Sequence, residues 1–135
     1  MRLLARISTA ALAAFAVAGG AQAETTVRAV GFIPKNHPVM AQANAWVAYV
    51  NDKLKGKFRV NYVGGPEVIG RYEQFNAVRT GVIDLVFPPE ADFQDQLPEV
   101  QALTLSKLSL SEERKSGFYD LMVKTHERVN LRYIG

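Results

Sequence analysis

The sequence predicts an α/β fold built on a parallel sheet, with helices packed on it. Strand-like and helix-like segments alternate along residues 26–87 in the order strand, helix, strand, helix, strand. The first strand is almost continuously apolar, as expected for a strand covered on both faces. Glycine or proline separates successive elements. This alternation is typical of right-handed βαβ crossovers, which make neighbouring strands parallel.

The first strand is expected at residues 26–33, "TVRAVGFI", where β-branched and apolar residues dominate. The break "PKNHP" follows, with Asn36 or His37 available as the N-cap of a helix over residues 38–54. Apolar residues recur at helical spacing along this segment and include Trp46. We expect Trp46 to be a core residue rather than a ligand platform.

Alternation of Phe58, Val60 and Tyr62 with polar neighbours predicts the second strand. The glycine-rich turn "GGPEVIGR" leads into a second helix that ends at Gly81. The third strand, "VIDLVF", stops at Pro88-Pro89, because consecutive prolines are not tolerated in a central strand.

The last third of the chain is less regular. Residues 90–110 are expected to mix loop with short helix, and residues 111–129 to form one helix capped by Ser111. His126 would lie on the solvated side of that helix. Residues 130–135, "NLRYIG", have the pattern of the beginning of a fourth strand.

Residues 1–23 have the pattern of a secretory signal peptide. "MRLLAR" is basic, "ISTAALAAFAVAGG" is apolar with small residues, and "AQA" is a cleavage site. We therefore expect export to the periplasm, cleavage after Ala23, and a mature chain of residues 24–135. Removal of Arg2 and Arg6 leaves 14 basic and 13 acidic residues, so the net charge falls from +3 to +1.

The composition excludes several classes of function. A nearly neutral mature chain gives no support to nucleic-acid binding. The absence of cysteine rules out disulfides, thiolate metal sites and cysteine nucleophiles within this sequence. An apolar content of 48% is typical of a globular domain, or of part of a larger one.

The glycine-rich turn does not match a phosphate-binding loop. A P-loop requires Gly-Lys followed by Ser or Thr, whereas Gly70 is followed by Arg71 and Tyr72, and no G-x-G-x-x-G pattern is present. No catalytic set is recognisable either: His37 and His126 lie on different elements, and Asp92 is expected to be a solvated loop acid. We predict no catalytic residues, no metal and no cofactor.

Ligands of open parallel sheets bind at the carboxyl ends of the strands. Those ends contain Phe32, Arg71, Pro89 and Phe93, and we predict that the four residues face one cleft. Arg71 would supply positive charge near a helix N-terminus, and the aromatic residues would form walls for an apolar ligand body. The sheet geometry therefore predicts a small-molecule binding site without chemistry.

The segments "VRAVGFIPKNHP", "GKFRVNYVGGPEVIG" and "EQFNAVRTGVIDLVF" resemble the N-terminal part of the solute-binding proteins of tripartite ATP-independent periplasmic (TRAP) transporters. The similarity is most specific at His37-Pro38 and across residues 73–84, and runs from Val27 to the end of the sequence. It covers only the first part of the family's usual length.

This resemblance implies a periplasmic-binding-protein-like fold, of which residues 24–135 would form part of the first of two domains. It implies a receptor that closes on an organic anion, usually a carboxylate, and delivers it to membrane permease subunits. The family's cleft regions fall by position at Phe32, Arg71 and Pro89, where sialic-acid-type members have polar or acidic side chains. Sialic-acid-like specificity is therefore not implied. The family's carboxylate-anchoring arginine would follow Gly135, and we expect the reading frame to continue there.

Two alternatives remain open from the sequence. The receptor of an ATP-driven uptake system has a similar two-domain build. A small exported α/β hydrolase or isomerase belongs to a different class, and would require a titratable pair in the cleft with shifted pKa values, whereas a receptor requires only shape and a counter-charge.

Overall fold

Three parallel strands form the sheet in the computed structural model, which describes residues 23–135. The strands are β1 (Thr25–Gly31), β2 (Phe58–Gly64) and β3 (Leu85–Phe87), and their order in the sheet is β2-β1-β3. Helices flank the sheet, so the predicted α/β class is confirmed. Most of the expected signal peptide, residues 1–22, lies outside the described residues.

Within residues 23–135, five α-helices and four 3₁₀ segments accompany the strands. The α-helices are α1 (Ala41–Lys53), α2 (Gln74–Arg79), α3 (Gln101–Leu105), α4 (Leu110–Ser116) and α5 (Phe118–Glu127). The 3₁₀ segments are Pro38–Met40, Arg71–Glu73, Glu90–Phe93 and Pro98–Val100. Of the two candidate caps, Asn36 and His37, the structure has His37, whose Nδ1 accepts a hydrogen bond from the backbone N–H of Val39 at 3.2 Å.

The sheet is covered on both faces, as the apolar character of β1 predicts. On one face, α1 packs over a cluster whose buried members are Ala29, Met40, Val60 and Tyr62. The other face is covered by α2 and the later helices. Its buried side chains are Val30, Ala77 and Ile83, with Phe75, Phe93, Leu97 and Val100 in an adjacent cluster.

Backbone and side-chain hydrogen bonds between Arg28 and Asp84 fix the start of β3 against β1. The backbone N–H of Asp84 donates to the carbonyl of Arg28 at 3.0 Å. The Asp84 carboxylate in turn accepts from the backbone N–H of Arg28 at 2.7 Å and from its Nε at 3.2 Å. The backbone hydrogen bond, followed by the side-chain bond and the charge of Arg28, holds the pKa of Asp84 below its usual value of 3.8.

We expect this carboxylate to make stability acid-sensitive. A pKa lowered by folding contributes stability above the unfolded value, and that stability is lost as the pH falls through the folded pKa. The difference in free energy of unfolding between wild type and Asp84→Asn should be constant above about pH 5 and should shrink below about pH 4. Urea denaturation across this range measures it, with Asp95→Asn, at an exposed loop acid, as the control. A difference that grows on acidification would contradict the assignment.

The predicted helix over residues 111–129 is two helices. Gly117 adopts a left-handed conformation, with φ of 82°, and separates α4 from α5. The cap is Ser109 rather than Ser111: the Ser109 Oγ accepts from the Glu112 N–H, and the Glu112 carboxylate accepts from the Ser109 N–H. This reciprocal capping box begins the helix earlier than the charge pattern indicated.

The prediction of a fourth strand at residues 130–135 was wrong. The chain turns after α5 at Asn130, which has φ of 61°, and the N–H of Leu131 donates to the carbonyl of His126 at 3.0 Å. Residues 131–135 therefore fold back on α5 without regular structure, and the ring of Tyr133 lies 5.3 Å from that of His126. His126 is buried as a result, contrary to the solvated position expected from the sequence.

Candidate functional site

The strand order places a topological switch point at the carboxyl ends of β1 and β3. From β1 the chain leads through α1 to β2 on one side, whereas β3 pairs with the opposite edge of β1. The backbone N–H of Phe32 donates to the carbonyl of Phe87 at 3.2 Å and closes the pairing at this end. Connections that diverge from neighbouring strands leave a crevice in open α/β sheets.

The glycine-rich turn after β2 is shaped for close backbone packing. A side chain at Gly65 would overlap the carbonyl oxygen of Ile33 and place its Cβ 2.9 Å from the nitrogen of Pro34. The turn therefore lies directly against the chain that leaves β1. Its glycine provides the space for that approach.

Gln74 joins the same two segments from inside the protein. Its side-chain amide, almost completely buried, donates to the carbonyls of Gly31 at 2.8 Å and Ile69 at 3.1 Å. These bonds satisfy carbonyls at the end of β1 and in the turn before α2. The loops that form the crevice are thus held in fixed positions.

Arg71 lies at the crevice and is held by a two-point ion pair. Its Nε and Nη2 each donate to one carboxylate oxygen of Asp92 at 2.7 Å, and its Cζ lies 5.4 Å from the ring centroid of Phe32. The side chain of Arg71 is 37% exposed, whereas that of Asp92 is 7% exposed. The hydrogen bond with Asp92 raises the pKa of Arg71. The expectation that Asp92 is a solvated loop acid was wrong, because the 3₁₀ segment Glu90–Phe93 turns its carboxylate towards Arg71.

A cavity of about 640 Å³ opens beside the edge strand β3. Its aromatic lining residues are Phe32, Trp46, Phe87, Phe93, His126 and Tyr133. Trp46 is 39% exposed and contacts Phe87 edge to face, with ring centroids 5.8 Å apart. The expectation that Trp46 is a core residue was therefore wrong. The contact with Phe87 leaves part of the indole exposed.

The structure places the four predicted site residues near the same end of the sheet, in different settings. Phe32 and Phe93 line the cavity, whereas Arg71 and Pro89 are not among its lining residues. Arg71 packs on Phe32. Phe93 is mainly a core residue, since it is buried against Phe75 with ring centroids 5.0 Å apart. Pro89 precedes the segment Glu90–Phe93 and accepts from the N–H of Asp92 at 3.0 Å.

Two residues at this end of the sheet were missed by sequence reasoning. The Nζ of Lys35 donates to the carbonyl of Tyr62 at 3.0 Å and lies 5.2 Å from the centroid of its ring. Burial, with a smaller contribution from Glu67, raises the pKa of Tyr62, so its hydroxyl is protonated at neutral pH. Lys35 follows a predicted strand, and Tyr62 lies near the end of another. Their positions at the carboxyl ends of strands were the sequence signal that could have identified them.

Comparison with known families gives no match: no family model matches the chain. Within residues 23–135, no group of three or more His, Asp or Glu side chains is arranged to hold a metal ion. Nor does this part of the chain contain a helix with the length and apolar character needed to cross a membrane.

Proposed function

We propose that the protein is a periplasmic receptor that captures a small organic anion, most simply a carboxylate, and delivers it to the permease subunits of a TRAP-type secondary transporter. The observation that supports it best is an arginine fixed on an aromatic ring at the switch point of an open parallel sheet. Ligand sites of this architecture lie at that point. The resemblance of the sequence to TRAP solute-binding proteins supports the same class.

The ion pair with Asp92 defines what Arg71 contributes. Asp92 engages Nε and Nη2 and leaves Nη1 outside the pair. Because Asp92 offsets the charge of Arg71, the attraction for an anion is mainly directional hydrogen bonding rather than net charge. A guanidinium whose orientation is fixed in advance loses little conformational freedom when a ligand binds. The site is thus suited to recognition of a planar carboxylate.

A panel of small carboxylic acids tests the proposal, each acid paired with its uncharged amide. Binding is measured by thermal shift on the complete secreted protein. An acid present at about 100 times its Kd should add about 2.7 kcal/mol of stability, and its amide should add much less. Arg71→Lys is the matched variant, since it keeps the charge but loses the planar guanidinium that Asp92 holds in a fixed orientation. Equal stabilisation by acids and amides, or by none of the acids, would refute an anion receptor.

Export is tested separately. The secreted protein should begin at Glu24, because the "AQA" sequence that ends at Ala23 has the pattern of a cleavage site. N-terminal sequencing of the periplasmic fraction measures this directly. Recovery of Met1 in that fraction would contradict processing at this position.

A further inference from the structure

The hydroxyl of Tyr62 is buried and has no hydrogen-bond partner among the described residues. Tyr62 is 4% exposed and lies near the carboxyl end of β2. Buried polar groups in folded proteins are nearly always paired, so an orphaned hydroxyl requires an explanation. If the hydroxyl had no partner in the working protein, phenylalanine would fill the same space without desolvating a polar group.

The hydroxyl is directed towards the candidate site. A side chain at Gly31, the last residue of β1, would overlap the Tyr62 hydroxyl oxygen and lie 2.7 Å from the Cε of Met40. The ring of Tyr62 lies 5.4 Å from that of Phe87, at an interplanar angle of 68°. Met40 and Phe87 both line the cavity. The Tyr62 hydroxyl therefore lies directly behind the cavity wall, at the switch point.

Met40 lies between the Tyr62 hydroxyl and the cavity. It ends the single-turn segment Pro38–Met40, and its side chain is unbranched with three rotatable bonds. Exposure of the hydroxyl to the cavity would require rotation of this side chain. Gly31, which lacks a side chain, leaves the hydroxyl room beside β1.

We propose that the Tyr62 hydroxyl donates a hydrogen bond to an oxygen on the body of the bound anion, an inference that rests on the proposed function. The carboxylate would face Arg71, and the apolar body would lie against Phe32 and Phe87, which are joined through their backbones at 3.2 Å. The ligand class is therefore an organic anion with an apolar, preferably aromatic, body that bears a second oxygen acceptor as a carbonyl or hydroxyl group.

Four probes test this assignment on the complete secreted protein, and three of them carry one oxygen more than the first. They are 3-phenylpropionate, phenylpyruvate, phenyllactate and 3-(4-hydroxyphenyl)propionate, with affinities measured by isothermal titration calorimetry. Wild type should bind at least one oxygenated probe about five- to tenfold more tightly than 3-phenylpropionate, as one buried hydrogen bond provides. Tyr62→Phe should abolish that preference and leave the affinity for 3-phenylpropionate unchanged.

The ligand-free protein supplies a second readout. Tyr62→Phe should melt at a temperature no lower than wild type, because it removes a hydroxyl that lacks a partner. Tyr49→Phe, at an exposed position on α1, is the control and should alter neither measurement. A lower melting temperature for Tyr62→Phe would overturn the inference, because the hydroxyl would then have a partner within the free protein.

The remaining outcomes separate the inference from the proposed function. Equal weakening of all four probes by Tyr62→Phe, or an unchanged preference, overturns the role of the hydroxyl while the receptor function stands. Binding of other carboxylates but none of these four overturns the ligand class alone. If wild type binds no carboxylate at all, the proposed function fails and the inference fails with it.

Discussion

Replacing Gly65 by alanine is expected to lower the free energy of unfolding by about 3 kcal/mol, the upper end of the usual cost of overpacking. The added Cβ would overlap the carbonyl oxygen of Ile33 and lie 2.6 Å from its carbonyl carbon. Both are backbone atoms, so no side-chain rotation relieves the contact, and the turn after β2 must move away from β1. For a domain of this size the loss corresponds to a fall in Tm of roughly 10–20 °C.

Gly70→Ala is the matched control in the same loop. Gly70 has φ of −49°, which alanine tolerates, and the nearest neighbour of an added Cβ is the flexible side chain of Glu73 at 3.1 Å. Its stability should stay within about 1 kcal/mol of wild type. Chemical denaturation of the two variants gives the comparison. Equal losses would mean that glycine is required in this turn for flexibility and not for the contact with Ile33.

Arg71→Ala is expected to destabilise the protein by about 2 kcal/mol, because it leaves the carboxylate of Asp92 buried without its cation. The estimate is below that for a fully buried pair, since the side chain of Arg71 is 37% exposed and partly screened by solvent. Asp92→Ala should cost less, because an unpaired arginine at this position remains hydrated. The asymmetry follows from the unequal burial of the two partners.

The double variant Arg71→Ala/Asp92→Ala completes the cycle. It should be more stable than Arg71→Ala alone, because the buried charge has been removed with its partner. Equilibrium urea unfolding of the four proteins measures the coupling energy. Additive losses would show that Arg71 and Asp92 do not interact in solution. Under the proposed function, both variants that lack Arg71 should also bind the carboxylate probes more weakly.

The order of elements could be predicted from sequence because it depends on local signals. The alternation in β2, the cap at His37 and the stop at Pro88 each follow from a few adjacent residues. The arrangement of the site residues in space could not be predicted in this way. Arg71 and Asp92 are 21 residues apart, and the 3₁₀ segment that orients Asp92 is too short to show any periodicity.

Trp46 and Tyr62 show that a local sequence pattern does not determine the surroundings of a side chain. Helical spacing grouped Trp46 with the apolar residues of α1, but gave no information that its side chain would be 39% exposed. Strand alternation correctly assigned Tyr62 to the interior. The space beside its hydroxyl depends on Gly31, a residue in another strand. Periodicity identifies the face of an element, whereas the neighbours on that face are set by tertiary packing.

The central position of β1 has a consequence for how the chain folds. β1, the first strand of the described residues, is the middle strand of the sheet, and the hydrogen bond that fixes its β3 side joins residues 56 apart in the chain. Contacts of this kind form only after a long loop has closed, and they stabilise the fold only from that point. Domains rich in such contacts fold slowly. Until β3 arrives, one hydrogen-bonding edge of β1 remains unpaired. The interval before that pairing is therefore the period in which this chain is most exposed to pairing with strands of other molecules.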